Sequence, residues 1–144
     1  MVDELVVGAH TLGYEPETGL VRMVHVGLMN ADEMRGIADK IAEYARTYHP
    51  GRATFFLVDN RRAAGITSDA RRVMSLSPVL QDEMYCALFG ASFAVRTVIN
   101  MVFKAVTIAT SSKSVVVALA SEDDARAWLT DRKLAYGARV AKSA

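Results

Sequence analysis

Four consecutive apolar residues, Phe55-Phe56-Leu57-Val58, run directly into Asp59, and nothing else in the chain restricts the fold as strongly. An apolar strand without alternation has no face to give to water, so it is a central strand covered on both sides. Helices must supply that cover, and the preceding sequence encodes one. Asn30-Ala31-Asp32-Glu33 is a capping box, in which Asn and Glu side chains satisfy orphan backbone donors at a helix start. Met34, Ile37, Ala38, Ile41, Tyr44, Ala45 and Tyr48 then recur at spacings of three and four, a stripe that faces a core, and His49-Pro50-Gly51 ends the helix.

Residues 5–14 read as one β-prone run, Glu15-Pro16-Glu17-Thr18-Gly19 as a turn, and Leu20-Val21-Arg22-Met23-Val24-His25-Val26-Gly27 as its hairpin partner. Leu20, Arg22, Val24 and Val26 share one face of that strand, and Val21, Met23 and His25 the other. Beyond the central strand, the polar stretch Asn60-Arg61-Arg62-Ala63-Ala64-Gly65 reads as a connection. Thr67 or Ser68 then caps a short helix that turns Ala70, Val73 and Met74 inward, with Leu76 a further candidate for that face and Pro78 closing the helix or starting a bend. Met84–Phe89 is a further strand, and Gly90-Ala91-Ser92 leads from it into a long helix over 93–109. Arg96, Asn100, Lys104, Thr107 and Ser111 form a narrow polar stripe on this helix. Val95, Val98, Val102 and Val106 form its core stripe, and Met101, Phe103 and Ile108 lie off it. Val115–Leu119 is the last strand, and Ser121-Glu122-Asp123-Asp124 caps a final helix bearing Ala125, Trp128 and Leu129. The order β-β-α-β-α-β-α-β-α describes an α/β domain over 1–136 with a mixed, mostly parallel sheet, and 137–144 read as a solvated, frayed tail.

Charge and composition narrow the function. With 17 basic and 16 acidic residues the net charge is +1, too small to draw the chain onto nucleic acid. Cys86 is the single cysteine, lies in the apolar run Tyr85-Cys86-Ala87-Leu88 without a basic neighbour, and reads as core. Met1-Val2-Asp3-Glu4 is acidic where a signal peptide is basic, which gives a cytoplasmic expectation. His10, His25 and His49 lack the close spacing of a metal motif, and His25 is expected to be a partly buried, hydrogen-bonded structural histidine. No triad, metal set or carboxylate pair can be named, so neither enzyme activity nor a cofactor is expected.

Five stretches in order carry a resemblance to a known family: Tyr14-Glu15-Pro16-Glu17-Thr18-Gly19; Phe56-Leu57-Val58-Asp59; Gly65-Ile66-Thr67-Ser68-Asp69-Ala70-Arg71-Arg72; Leu88-Phe89-Gly90-Ala91-Ser92-Phe93-Ala94-Val95-Arg96; and Ser121-Glu122-Asp123-Asp124-Ala125-Arg126-Ala127-Trp128-Leu129. Over roughly 14–131 the chain resembles the STAS/Sec14-type, SpoIIAA-like family of small bacterial proteins. The resemblance implies a STAS-like α/β fold and two roles. One is a phosphoswitched partner-binding module, as in anti-sigma factor antagonists. The other is a carrier of a small apolar or lipid-like ligand, as in Sec14-type proteins. The antagonists' phosphorylated serine falls at Ser68 or Thr67, where the Asp-Ser-Ser-Gly-like motif itself is absent.

The residues offer matching sites. Ser68 and Thr67 are each a phospho-acceptor or a helix cap, with Arg71 and Arg72 within a turn. Ser92, Arg96 and Arg61 form a candidate anion or ligand mouth near the carboxyl ends of the strands. Phe93, Met101, Phe103 and Ile108 are candidates for an interface or an apolar pocket. The 93–109 helix is too short and too interrupted by Arg96 and Lys104 to span a bilayer, and peripheral membrane contact is not favoured. The expectation is a non-enzymatic regulatory module acting through a protein partner or as a homodimer, with an apolar-ligand carrier or sensor as the alternative.

Overall fold

The computed structural model describes residues 1–77, 82–110 and 113–143. Among these residues, six strands and four helices follow one another as β1 (Val2–Val7), β2 (His10–Glu15), β3 (Leu20–Met29), α1 (Ala31–Tyr48), β4 (Thr54–Ile66), α2 (Ser68–Leu76), β5 (Met84–Phe89), α3 (Phe93–Thr110), β6 (Val115–Leu119) and α4 (Glu122–Ser143). They form one sheet whose spatial order is the chain order. β1, β2 and β3 are antiparallel, and β3 to β6 are parallel. Each parallel strand adds to the same edge, so right-handed crossovers bring their connecting helices to one face. Accordingly α1, α2 and α3 pack on one side of the sheet, and α4, which follows the last strand, covers the other.

β4 divides the core by simple alternation. Phe56 and Val58 join Val21, Met23, Cys86 and Leu88 under α1–α3, while Phe55 and Leu57 join Leu20, Ala87 and Phe89 under α4. The capping box closes as its sequence demands: Glu33 N donates to Asn30 Oδ1 at 2.9 Å and Asn30 N to Glu33 Oε1 at 3.0 Å. On the opposite face Arg126 of α4 makes two 2.9 Å bonds to Glu15, and Arg22 bonds Glu122 at 3.2 Å, pinning α4 to the β2–β3 hairpin.

Leu76, the last residue of α2, is 69% exposed and does not join the inward face of Ala70 and Met74, since the helix ends there. Four further local expectations are corrected. Residues 5–14 are two strands, because Gly8-Ala9 makes a two-residue turn between Val7 and His10. Gly8 has φ +60°, a backbone conformation that favours glycine, and a Cβ there would lie 1.9 Å from Glu33 Oε2 and displace that carboxylate from its contacts with Asn30 and His10. The stretch from Asn60 to Gly65 is no connection but the second half of β4, held because β3 runs on to Met29 and offers it a parallel ladder through two register shifts. Phe103 is buried at 7% exposure, since the inward positions of α3 are Val95, Ile99, Val102, Phe103 and Val106. Residues 137–143 continue α4, with Arg139 held by the Glu83 carboxylate at 2.7 Å; a single exposed Gly137 costs too little to stop a helix. Pro78 and Ser111 lie outside the described residues.

Leu57 is fully buried on the α4 side of the central strand. Leu57→Ala is expected to lower unfolding stability by about 2–5 kcal/mol, measured by urea titration.

Candidate functional site

The α1–α3 face is not completely filled. A cavity of about 70 Å³ lies between the sheet and these helices. Its floor includes Met23, Phe56, Val58, Cys86 and Leu88 from the strands, and its roof includes Met34, Ile37 and Ile41 of α1, Met74 of α2, and Ile99 and Phe103 of α3. Five of the chain's seven methionines, Met23, Met29, Met34, Met74 and Met84, are in its wall. His25, Asn60 and Ser77 are the polar residues among those that line it.

The polar pole follows from strand alternation. His10 of β2, His25 of β3 and Asn60 of β4 all point to the α1–α3 side, beneath the start of α1, and are 1–2% exposed. Val26 N donates to His10 Nδ1 at 3.1 Å, so the His10 proton sits on Nε2, which faces Glu33 Oε2 at 3.3 Å. The His10 and His25 rings meet edge to face, with centroids 5.1 Å apart. His25 Nδ1 donates to Asn60 Oδ1 at 3.2 Å, the hydrogen-bonded arrangement expected for this histidine. Burial, and then the neighbouring His10, push the His25 imidazole below its ordinary pKa. Burial likewise lowers His10, with Glu33 opposing. The thiol of Cys86, buried in the same wall, is pushed upward by burial alone, which disfavours the reactive thiolate. Among the described residues no group of three or more His, Cys, Asp or Glu side chains is placed to hold a metal ion.

The residues singled out in the sequence are spread over three places. At α2, Thr67 is the N-cap, accepting from Ala70 N at 3.1 Å, while exposed Ser68 accepts from Arg71 Nη2 at 2.9 Å. Near the carboxyl ends of the strands, Arg61 makes a two-pronged pair with Asp59 at 3.0 and 2.7 Å and lies over the Phe89 ring. It also packs so closely on Gly90, which has φ +72°, that a Cβ there would lie 2.3 Å from Arg61 Cγ. Burial pushes the Asp59 carboxyl up, and its bonds to Arg61 more than reverse this, leaving it below the usual range. Ser92 caps α3 by accepting from Val95 N at 3.3 Å. Arg96 borders a groove with Phe93, Thr97, Asn100 and residues 116–119 of β6. On α3 itself, Phe93, Met101 and Ile108 are exposed, and Phe103 alone of the four apolar candidates reaches the cavity.

Sequence reading missed Asn60, which it placed in a connection, and the methionine cluster. A signal for the cluster existed, since Met34 and Met74 already stood on core-facing helix stripes and Met23 on the His25 face of its strand.

No family model and no curated protein matches the sequence. Among solved structures the chain is similar to an uncharacterised protein of the DUF3478 family with a SpoIIAA-like fold from Shewanella loihica PV-4. The TM-score is 0.56 at 14% identity, over 83% of this chain and 93% of that one. The fold is therefore SpoIIAA-like, as the sequence resemblance implies. No described helix is long and apolar enough to cross a membrane.

The buried histidines give the site a pH dependence. Their folded pKa values lie below the ordinary 6.5, so the unfolded chain takes up protons first, and the stability they contribute is complete above that value and lost as pH falls beneath it. The urea midpoint is expected to drop between about pH 7 and about pH 5, and His25→Leu to reduce that slope.

Proposed function

We propose that this chain is a non-catalytic small-molecule-binding module, a carrier or sensor that takes an apolar ligand between the sheet and α1–α3. The concentration of methionine around the cavity carries this reading. Leu, Ile and Val fill a core with few rotamers, whereas unbranched, polarizable methionine repacks around guests of varied shape. The space of about 70 Å³ is smaller than the ~150 Å³ apolar cavity known to admit benzene. A guest of that size therefore needs wall side chains to move, and thioethers on two helices and two strands move at least cost.

Native mass spectrometry of protein purified from its own source, repeated after denaturation, is expected to release a bound apolar molecule. Ala38 is in the wall on α1. Ala38→Leu fills part of the space, and is expected to remove the bound molecule and raise the melting temperature of the ligand-free protein by a few degrees. A ligand-free wild type whose methionine methyl NMR signals do not respond to n-hexane counts against the reading.

A second reading, the regulatory module that binds a partner or a second copy of itself, draws on the outside of α3. Phe93, Met101 and Ile108 are 77%, 58% and 75% exposed, with Met101 and Ile108 on one stripe of the helix and Phe93 at its first turn. Contiguous exposed apolar surface marks interaction sites. A phosphate on Ser68 would find Arg71 already in hydrogen-bond reach, which gives such a module a regulatory input. The double substitution Met101→Glu with Ile108→Glu is expected to leave the circular dichroism spectrum unchanged and abolish self-association in analytical ultracentrifugation. A wild type that sediments as a monomer at all concentrations rules out the homodimer.

A further inference from the structure

Apart from Ser77, the C-cap of α2, the polar lining of the cavity is confined to His25 and Asn60, and that end is incompletely satisfied. Asn60 is 1% exposed, and its Oδ1 accepts from His25 Nδ1 at 3.2 Å, but its Nδ2 finds no hydrogen-bond partner among the described residues. His25 Nε2 also lacks one, although the ring lies near the backbone carbonyls of Gly65 and Gly27. Buried amide donors are almost always paired, because leaving one unmade forfeits its hydration without return. A polar residue placed in an otherwise apolar wall and left half-used is the pattern of a ligand site, where one or two polar groups fix the orientation of a mostly apolar guest.

From this we infer that the ligand is an apolar molecule bearing a single uncharged hydroxyl group, seated against the side-chain amide of Asn60. The inference rests on the cavity reading above and adds to it the chemistry of the head group. The hydroxyl oxygen accepts from Asn60 Nδ2, which leaves the hydroxyl proton free to be donated in turn. If the amide turns over, the orphan becomes Oδ1, and the same hydroxyl meets it as a donor; a ketone or an ether cannot do both. A carboxylate or phosphate does not suit this end of the cavity. No charged residue lines it among the described residues, and the carboxylate that faces the neighbouring His10 at 3.3 Å, Glu33, has the wrong sign. An anion would have to be buried there without a counter-charge, which is far costlier than burying a hydroxyl that is hydrogen-bonded. The anion mouth suggested by Ser92, Arg96 and Arg61 is separate from this pole, and its Arg61 is already taken up by Asp59.

The test titrates the full chain with hexanol, n-hexane and hexanoate at neutral pH, following the methyl signals of the cavity methionines and the side-chain amide signals of Asn60 by NMR. The expected result is that hexanol binds about tenfold tighter than hexane, hexanoate binds more weakly than either, and the Asn60 amide signals move with hexanol but not with hexane. In Asn60→Leu the preference for hexanol over hexane is expected to fall to about one while hexane still binds. Should that variant not fold, the wild-type comparison and the Asn60 signals decide the matter by themselves. Equal affinity for hexanol and hexane, the result expected if an internal water already serves Asn60, overturns the head-group assignment and leaves the cavity reading standing. So does hexanoate binding as tightly as hexanol. Methionine signals indifferent to all three compounds overturn both.

Discussion

The two polar residues that close the apolar run of β4 cannot reach water, because the strand is buried on both faces, and each has to be answered from inside the protein. They are answered unequally. Asp59, on the α4 side, receives the whole fork of Arg61, whose guanidinium stays largely exposed and carries its own hydration. Asn60, on the other side, is met among the described residues by one histidine nitrogen and no more. One face of the sheet is thus electrostatically closed and the other holds a residual demand for a hydrogen bond, and the cavity lies on the side with the demand.

Helix distribution explains why the cavity is there. A sheet that grows along one edge sends its crossover helices to one face, where three separate helix stripes must converge on one floor. Perfect filling is harder at such a convergence than under α4, whose contact with Phe55, Leu57 and Phe89 is completed by Tyr85, Trp128 and Tyr136 from the rim. The fold therefore provides the gap, and the choice of methionine at five wall positions decides how it responds to a guest.

What could be read in advance was local. The capping box at Asn30, the stripe from Met34 to Tyr48, the caps at Thr67, Ser92 and Ser121 and the two-sided burial of Phe55 to Val58 depend on residues within a turn or two of each other, and all are as the pattern demands. The misreadings concern contacts made at a distance. The Gly8 turn sits against the Glu33 side chain of α1, and nothing near Gly8 in sequence signals that contact. The polar run from Asn60 to Gly65 stays extended because a long β3 lies beside it. Phe103 faces inward because the core-facing side of α3 is set by its neighbours and is wider than the valine repeat. The candidate site was legible in part: His25 as a buried, bonded histidine and Phe103 as a pocket candidate, but not Asn60, whose role exists only opposite a strand 35 residues earlier.

The identity of spatial and sequential strand order has a consequence for assembly. Each of β2 to β6 pairs with the strand immediately before it, so the growing sheet always presents the edge that the next segment needs, and no strand waits for a distant partner to be made. Loop closure is confined to single crossovers, which keeps contact order low for a parallel sheet and suits folding from the N-terminus during synthesis. The exception is α4, which covers strands made long before it. Until that helix arrives, Phe55, Leu57 and Phe89 have no cover, and the interval between synthesis of β4 and docking of α4 is when the nascent chain is most exposed to aggregation.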